Sequence, residues 1–317
     1  MKNKILLVGT GYMALEYAKV LRDLKAEIIA VGRDAERANT FQRQTGIETS
    51  SGGIEKWLQS GTELPKRAIV AASEIELGKA THALIRAGVK SILVEKPGGL
   101  DVADIKSVAE EAKKYGADVR VGYNRRCYAS TAKAQKIISE DGGVESFNFE
   151  FTEWIHKIPE AKKNSATGRE WLLVNSTHII DLAFFLGGFP KKMSCFASGS
   201  LPWHPAGSIF SGSGISETGA LFSYQANWQS PGRWSVEMLT KKHRLIFRPL
   251  EKLQIQNLCS VAIEEVPIED RLDTNFKPGL YKQVELFIKN PNTLLGIAQQ
   301  ADILPFYELI KSGGSIQ

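Results

Sequence analysis

Cysteine is scarce in this chain of 317 residues: Cys127, Cys195 and Cys259 stand far apart, odd in number and without a CxxC spacing. That excludes a disulfide framework and a thiolate zinc site, and leaves buried free thiols as the expectation. Long apolar runs are missing too. The longest near the start, Ile5-Leu6-Leu7-Val8, falls far short of the about 18 residues that signal a membrane span, so a cytoplasmic address and no membrane partner are expected. The five histidines include no HxxxH pair, so no metal is expected. A net charge of +5 is dispersed in short clusters such as Lys162-Lys163 and Lys241-Lys242-His243-Arg244. None is a basic stripe interleaved with aromatics, so nucleic acid is not an expected partner. What is present, 43% hydrophobic and 24% charged residues, suits a globular protein long enough for two cores.

Up to Gly122, short β-branched runs alternate with helical patterns. Strands are expected over 4–9, 27–32, 67–72, 91–95 and 119–122, and helices over 13–24, 35–44, 54–59, 75–87 and 103–114, with Asp34 as an N-cap. This pattern predicts an α/β fold whose N-terminal doubly wound, parallel-sheet (Rossmann) domain spans 1–122. After Gly122 the texture changes. Helices over 130–140 and 171–186 accompany strand candidates at 145–153, 192–197, 218–228, 234–239, 244–247 and 253–256, and 280–289 and 296–310 read as closing helices. The Gly-, Ser- and Pro-rich stretch 202–216 reads as a long loop. A second α+β domain over 123–317, with a mostly antiparallel open sheet, is the expectation.

Gly9-Thr10-Gly11-Tyr12-Met13-Ala14 matches G-x-G-x-x-A between the first strand and the first helix. The first glycine allows a tight turn and the second lets backbone approach a pyrophosphate. The small Ala14 lets helix and strand pack closely, and the helix N-terminus favours the anion. A glycine turn made only for packing is the alternative. The end of the second strand, where an acid usually meets the ribose hydroxyls, holds Gly32 followed by Arg33 and Asp34. A guanidinium without a carboxylate favours NADP over NAD; NAD is the alternative if Arg33 is merely exposed and Asp34 reaches the ribose. Lys96, in Glu95-Lys96-Pro97, leaves the carboxyl end of a parallel strand, where ligands bind in such sheets. An exposed loop lysine is the alternative there.

Through Glu95-Lys96-Pro97, Gly122-Tyr123-Asn124-Arg125-Arg126 and Ser176-Thr177-His178-Ile179-Ile180-Asp181-Leu182, the chain resembles the glucose-fructose oxidoreductase / inositol dehydrogenase (Gfo/Idh/MocA) family, most strongly over 4–126. The resemblance implies an NAD(P)-dependent dehydrogenase or reductase acting on a secondary alcohol or ketone of a sugar, cyclitol or sugar derivative. It implies Lys96 and His178 as the catalytic groups, Lys96 touching both reacting hydroxyl and cofactor and His178 acting as general acid/base. Gly9, Thr10, Gly11, Tyr12, Met13, Arg33, Ala72, Ser73, Glu95 and Lys96 would meet the cofactor. Tyr123, Asn124, Arg126, Asn175 and Asp181 would lie near the substrate.

Two positions depart from the family pattern. Ala72-Ser73 stands where Thr-Pro is frequent, and Val174 stands where an aspartate often precedes the histidine by four residues. Asn175, on the face of His178, or Asp181 would then supply the polar partner. A histidine inside so apolar a helix is otherwise often a core residue. A cofactor-binding regulator of the same fold that does no chemistry is the alternative function. The open sheet leaves an apolar face that needs cover, so a homodimer or homotetramer through it is expected.

Overall fold

The computed structural model describes residues 4–316. They form two compact units, one made of residues up to Asn124 with Asn275–Ile303, the other of Arg125–Thr274 and the residues from Leu304 onward. In the first, β1 (Lys4–Val8), α1 (Tyr12–Asp23), β2 (Glu27–Val31), α2 (Ala35–Thr45), β3 (Thr49–Ser50), α3 (Gly53–Leu58), β4 (Arg67–Val70), α4 (Glu74–Ala87), β5 (Ser91–Glu95), α5 (Val102–Tyr115) and β6 (Asp118–Gly122) follow one another. The six strands pair in parallel in the order β3-β2-β1-β4-β5-β6.

Ile5, Leu6 and Leu7 of β1, Ala68, Ile69 and Val70 of β4, and Ile92, Leu93 and Val94 of β5 are all completely buried. Unbroken apolar triplets, rather than alternation, are what a sheet covered on both faces requires. Helix starts are fixed locally: the Asp34 carboxylate accepts the Arg37 N–H at 2.8 Å and the Asp101 carboxylate the Asp104 N–H at 2.9 Å. The strand order reverses between β1 and β4, which opens a crevice at their carboxyl ends.

The contiguous division expected at Gly122 differs from this arrangement. Asn275–Ile303, expected with the second domain, lies with the first. Gln283, on the helix Leu280–Lys289, donates to the Tyr17 hydroxyl at 2.9 Å. The Val121 N–H reaches the Leu295 carbonyl at 2.8 Å, and the Arg120 guanidinium reaches the Leu294 carbonyl at 3.1 Å. The returning segment thereby pairs part of the outer edge of β6, which would otherwise offer bare backbone donors to a foreign strand.

In the second unit, β7 (Ser146–Glu150), β8 (Pro190–Ser198), β9 (Ile209–Ser216), β10 (Leu221–Asn227), β11 (Ser235–Leu239), β12 (His243–Phe247), β13 (Gln254–Asn257), β14 (Ile263–Glu265) and β15 (Gly314–Ile316) build a nine-stranded sheet in the order β14-β13-β12-β11-β7-β10-β9-β8-β15. Neighbours are antiparallel except β7 and β10, which run parallel. Along β10, Phe222, Tyr224 and Ala226 are buried while Leu221, Ser223 and Gln225 are exposed, the period-two signature of a half-buried strand. The buried face packs on the helix Thr177–Gly187. The Phe184 ring lies 5.5 Å from that of Phe149 and 5.4 Å from that of Phe222, edge to face, and Phe147 and Phe149 stack at 5.3 Å on Phe222 and Tyr224. On the opposite face Phe196 is 70% and Leu221 59% exposed.

Residues 209–216, expected inside a loop, are β9. A Cβ on Gly212 would come within 2.4 Å of the Tyr224 hydroxyl, and one on Gly214 within 2.6 Å of Phe222 Cζ. Glycine there makes room for rings of the adjacent strand, so a loop-like composition encodes a strand. The helix expected over 171–186 is two elements, a π-helical turn Leu172–Ser176 and the α-helix Thr177–Gly187. Of the cysteines, Cys195 is buried, Cys127 half-buried and Cys259 exposed.

Candidate functional site

Three sequence-selected segments leave adjacent strands of the first unit at the same end of the sheet: Gly9–Met13 after β1, Ala72-Ser73 after β4, and Lys96 after β5. Gly9 is dictated by the fold. Its φ is +123°, and a Cβ would stand 2.2 Å from the Ala71 carbonyl oxygen. Gly11 is different: its φ is −88° and a Cβ there would meet nothing within 4 Å. Among the described residues no contact demands glycine at that position, so the space beside its backbone is open to a group from outside the chain. Gly11 is also the N-cap of α1, with no side-chain cap and no acidic residue in the first turn. The open N–H groups and positive end of a 12-residue helix therefore sit beside the crevice.

Around this turn, Thr10 and Met13 are half-buried and Tyr12 is exposed, with the Lys277 ammonium 5.3 Å from its ring centre. A Cβ on Gly32 would approach Thr10 Cγ2 to 2.6 Å, so a side chain at position 32 would require Thr10 to shift. Arg33 is exposed, its guanidinium 2.8 Å from Glu76 Oε1. Asp34 is engaged as a helix cap. A cleft of about 440 Å³ beside them is lined by Thr10, Asp34, Glu36, Arg37, Thr40, Phe41 and Gln44. It adds a second guanidinium, Arg37, which sequence reasoning missed; its position one helical turn after Arg33 was the available signal. Ala72 is half-buried, and Ser73 is the exposed N-cap of α4, its hydroxyl making no cap bond.

At the end of β5, Glu95 is turned inward, its carboxylate accepting from the Tyr17 hydroxyl at 2.6 Å. Lys96 is half-buried and joined to Pro97 by a cis peptide bond. Tyr123 and Asn124 are buried, the Tyr123 hydroxyl accepting from Gln300 at 3.1 Å and the Asn124 amide donating to the Pro278 carbonyl at 2.9 Å. Their side chains tie the first unit to its returning segment.

In the second unit, His178 is half-buried in the first turn of the helix Thr177–Gly187, its ring 6.1 Å from that of Trp234. Val174 is buried. Asn175 and Ser176 converge on Glu153: Asn175 Nδ2 donates to both carboxylate oxygens at 3.0 and 2.9 Å, and Ser176 Oγ donates at 2.7 Å. Glu153 is only 4% exposed. Burial pushes its carboxyl above the usual range, against the stabilising bonds from Ser176 and Asn175. Sequence reasoning missed this acid, which looked like the tail of an aromatic strand; β7 in fact ends at Glu150. Asp181 is 1% exposed and holds Arg126 in a two-pronged pair at 2.8 and 2.6 Å. Arg126 also lies over the Phe185 ring at 4.7 Å. These two, expected near substrate, are joined to each other.

Residues 3–123 match a family model described as "Oxidoreductase family, NAD-binding Rossmann fold" (GFO_IDH_MocA). That stretch, well under half of the chain, is where the likeness to the Gfo/Idh/MocA oxidoreductases lies. Trans-1,2-dihydrobenzene-1,2-diol dehydrogenase of Oryctolagus cuniculus is 25% identical over 203 residues, which are 59% of this chain and 58% of that protein. The enzyme of the same name from Sus scrofa is 23% identical over 203 residues, 59% of this chain and 57% of its own length. The chain thus spans less than two thirds of these curated relatives. Among solved structures, levoglucosan dehydrogenase in complex with NADH and levoglucosan superposes with a TM-score of 0.81 at 17% identity over 100% of both chains. An oxidoreductase from Thermotoga maritima gives 0.80 at 20% identity, over 100% of this chain and 98% of its own. These likenesses establish the fold alone: a parallel Rossmann-type sheet followed by a mostly antiparallel one. Among the described residues, no helix is long and apolar enough to cross a membrane.

Proposed function

We propose that the chain is an NAD(P)-dependent dehydrogenase or reductase acting on a secondary alcohol or ketone of a sugar, cyclitol or sugar derivative. The observation that carries this reading is Gly11, a glycine with an ordinary φ and open space at its missing Cβ, capping a helix whose first-turn N–H groups have no side-chain acceptor. That cradle fits a dinucleotide pyrophosphate, and the family model matches the same stretch. When bound, the nicotinamide supplies the carbon that accepts or donates hydride.

The chain's own residues would do the rest. His178 would take the hydroxyl proton during oxidation and return it during reduction, imidazole being a side chain that can both accept and donate a proton. Lys96 would donate a hydrogen bond to the same oxygen and stabilise the negative charge developing on it. Glu153, by holding Asn175 and Ser176, would fix the turn that leads into His178, taking the polar role that Val174 does not fill. Arg33 and Arg37 would receive a 2′-phosphate, favouring NADP with NAD as the lesser cofactor; the Glu76 partner of Arg33 would be displaced. A second copy would cover the face carrying Phe196 and Leu221, making a homodimer or homotetramer.

The test is a panel of sugars, cyclitols and nucleotide sugars offered with NADP and with NAD, followed by cofactor absorbance. The expected result is reduction of cofactor by at least one member, with a lower KM for NADP. Tight cofactor binding without turnover of any member would instead make the chain a non-catalytic regulator.

A further inference from the structure

Next to the indole that borders His178, one exposed cation, Arg233, is stacked between aromatic rings. The Arg233 guanidinium lies 4.6 Å from the ring centre of Trp154 and 4.7 Å from that of Trp234. Among the described residues, no carboxylate forms an ion pair with it. Glu153 senses its charge, but the Glu153 oxygens already accept from Asn175 and Ser176. Trp234 is 6% exposed, whereas Trp154 is 46% exposed and is tied by its Nε1, which donates to the Gly232 carbonyl at 2.9 Å. A guanidinium stacked on aromatic rings keeps its in-plane N–H donors available and loses little freedom when they are used. A second donor accompanies it. Trp234 Nε1 is buried without a hydrogen-bond partner among the described residues, an arrangement that proteins seldom leave unanswered. The Trp234 ring also borders His178, at 6.1 Å, and carries the Arg125 guanidinium 4.9 Å from its centre. The Trp234 ring thus carries two guanidiniums and borders the imidazole, and the buried acid Glu153 binds the two residues Asn175 and Ser176 that precede the His178 helix.

Resting on the dehydrogenase reading for the identity of the site, we propose that its substrate carries an oxyanion, a carboxylate or a phosphate, which the Arg233 fork receives near His178. A neutral polyol would leave that fork unmatched. An anionic sugar would gain charge-assisted, two-pronged hydrogen bonds in a region where Trp154 and Trp234 exclude part of the water.

The probes are matched: D-glucose, D-glucuronate and D-glucose 6-phosphate, titrated calorimetrically into the full chain with and without NADP, and offered in parallel as substrates. At least one anionic probe should bind about tenfold or more tighter than glucose. Which of the two wins separates carboxylate from phosphate. Arg233→Gln should collapse that ratio towards unity and Arg233→Lys should retain part of it. Lys136→Gln, which removes a charge from an exposed helix face, should keep it. Equal or tighter binding of glucose, no binding of either anion, or a ratio that survives Arg233→Gln overturns the proposal. The dehydrogenase reading fails separately, by anion binding that depends on Arg233 with no cofactor reduced by any substrate.

Discussion

Replacing Gly11 with alanine separates ligand approach from packing. The backbone at Gly11, with φ of −88°, is open to alanine, and the new methyl would meet nothing within 4 Å. Two stability effects oppose each other. Alanine restricts the unfolded chain, worth about 0.4–1 kcal/mol in favour of folding. As an N-cap it is poorer than glycine, at a cost of roughly 0.5–1 kcal/mol. The net change should stay within about 1 kcal/mol. Binding behaves differently, because on the proposed reading the methyl would stand where a pyrophosphate approaches the N–H groups of α1. Losing one charge-assisted hydrogen bond costs about 1.5–3 kcal/mol, so the dissociation constant for NADPH should rise by about tenfold or more. Gly9→Ala is the contrast. Its Cβ would lie 2.2 Å from a backbone oxygen at a φ of +123°, so folding itself should suffer. NADPH fluorescence titration and urea unfolding read the two quantities separately. A Gly11→Ala protein that binds NADPH like the parent would refute the reasoning, as would one that loses several kcal/mol of stability.

Two further outcomes follow from the second unit. Arg126→Met would leave the Asp181 carboxylate, 1% exposed, buried without its main partner, so urea unfolding should show a loss of about 3–5 kcal/mol. Unchanged stability with a raised KM would instead return Arg126 to substrate binding. Glu153 titrates higher in the folded chain than its ordinary value of about 4.3, so the wild type holds its proton more tightly when folded. That contribution is complete below the unfolded value and is lost as pH rises through the folded one. The stability of wild type relative to Glu153→Gln should therefore fall between pH about 4 and pH about 7, as read by urea midpoints at both; a difference that is flat or rises with pH would contradict the assignment.

Much of the first unit was legible because its strands obey one simple rule. Ile5–Val8, Ala68–Val70 and Ile92–Val94 are apolar throughout, as a sheet buried on both faces requires, and helices between them open on Asp34 and Asp101. The return of Asn275–Ile303 was not legible. It rests on pairings such as Gln283 with Tyr17 and Val121 with Leu295, between residues distant in sequence, which no local periodicity encodes. The strand Ile209–Ser216 hid behind its glycines, which serve the rings of Phe222 and Tyr224 rather than a turn. Residue type singled out the glycine turn, Lys96 and His178 as candidates, but could not tell where each polar end points. Glu95 turns toward Tyr17, and Asp181 toward Arg126. Glu153 and Arg233 became visible only when folding brought them beside the turn and the indoles next to His178.

The proposal that Lys96 and His178 serve one reaction is tested most directly by a double-mutant cycle on kcat/KM. Lys96→Met and His178→Asn should each lower kcat/KM by roughly 10²–10⁴-fold while NADPH affinity changes little. Because groups serving a single transition state are not additive, the double variant should fall no more than about tenfold below the weaker single. Losses that multiply in the double variant, or near-normal turnover in either single one, would contradict the account.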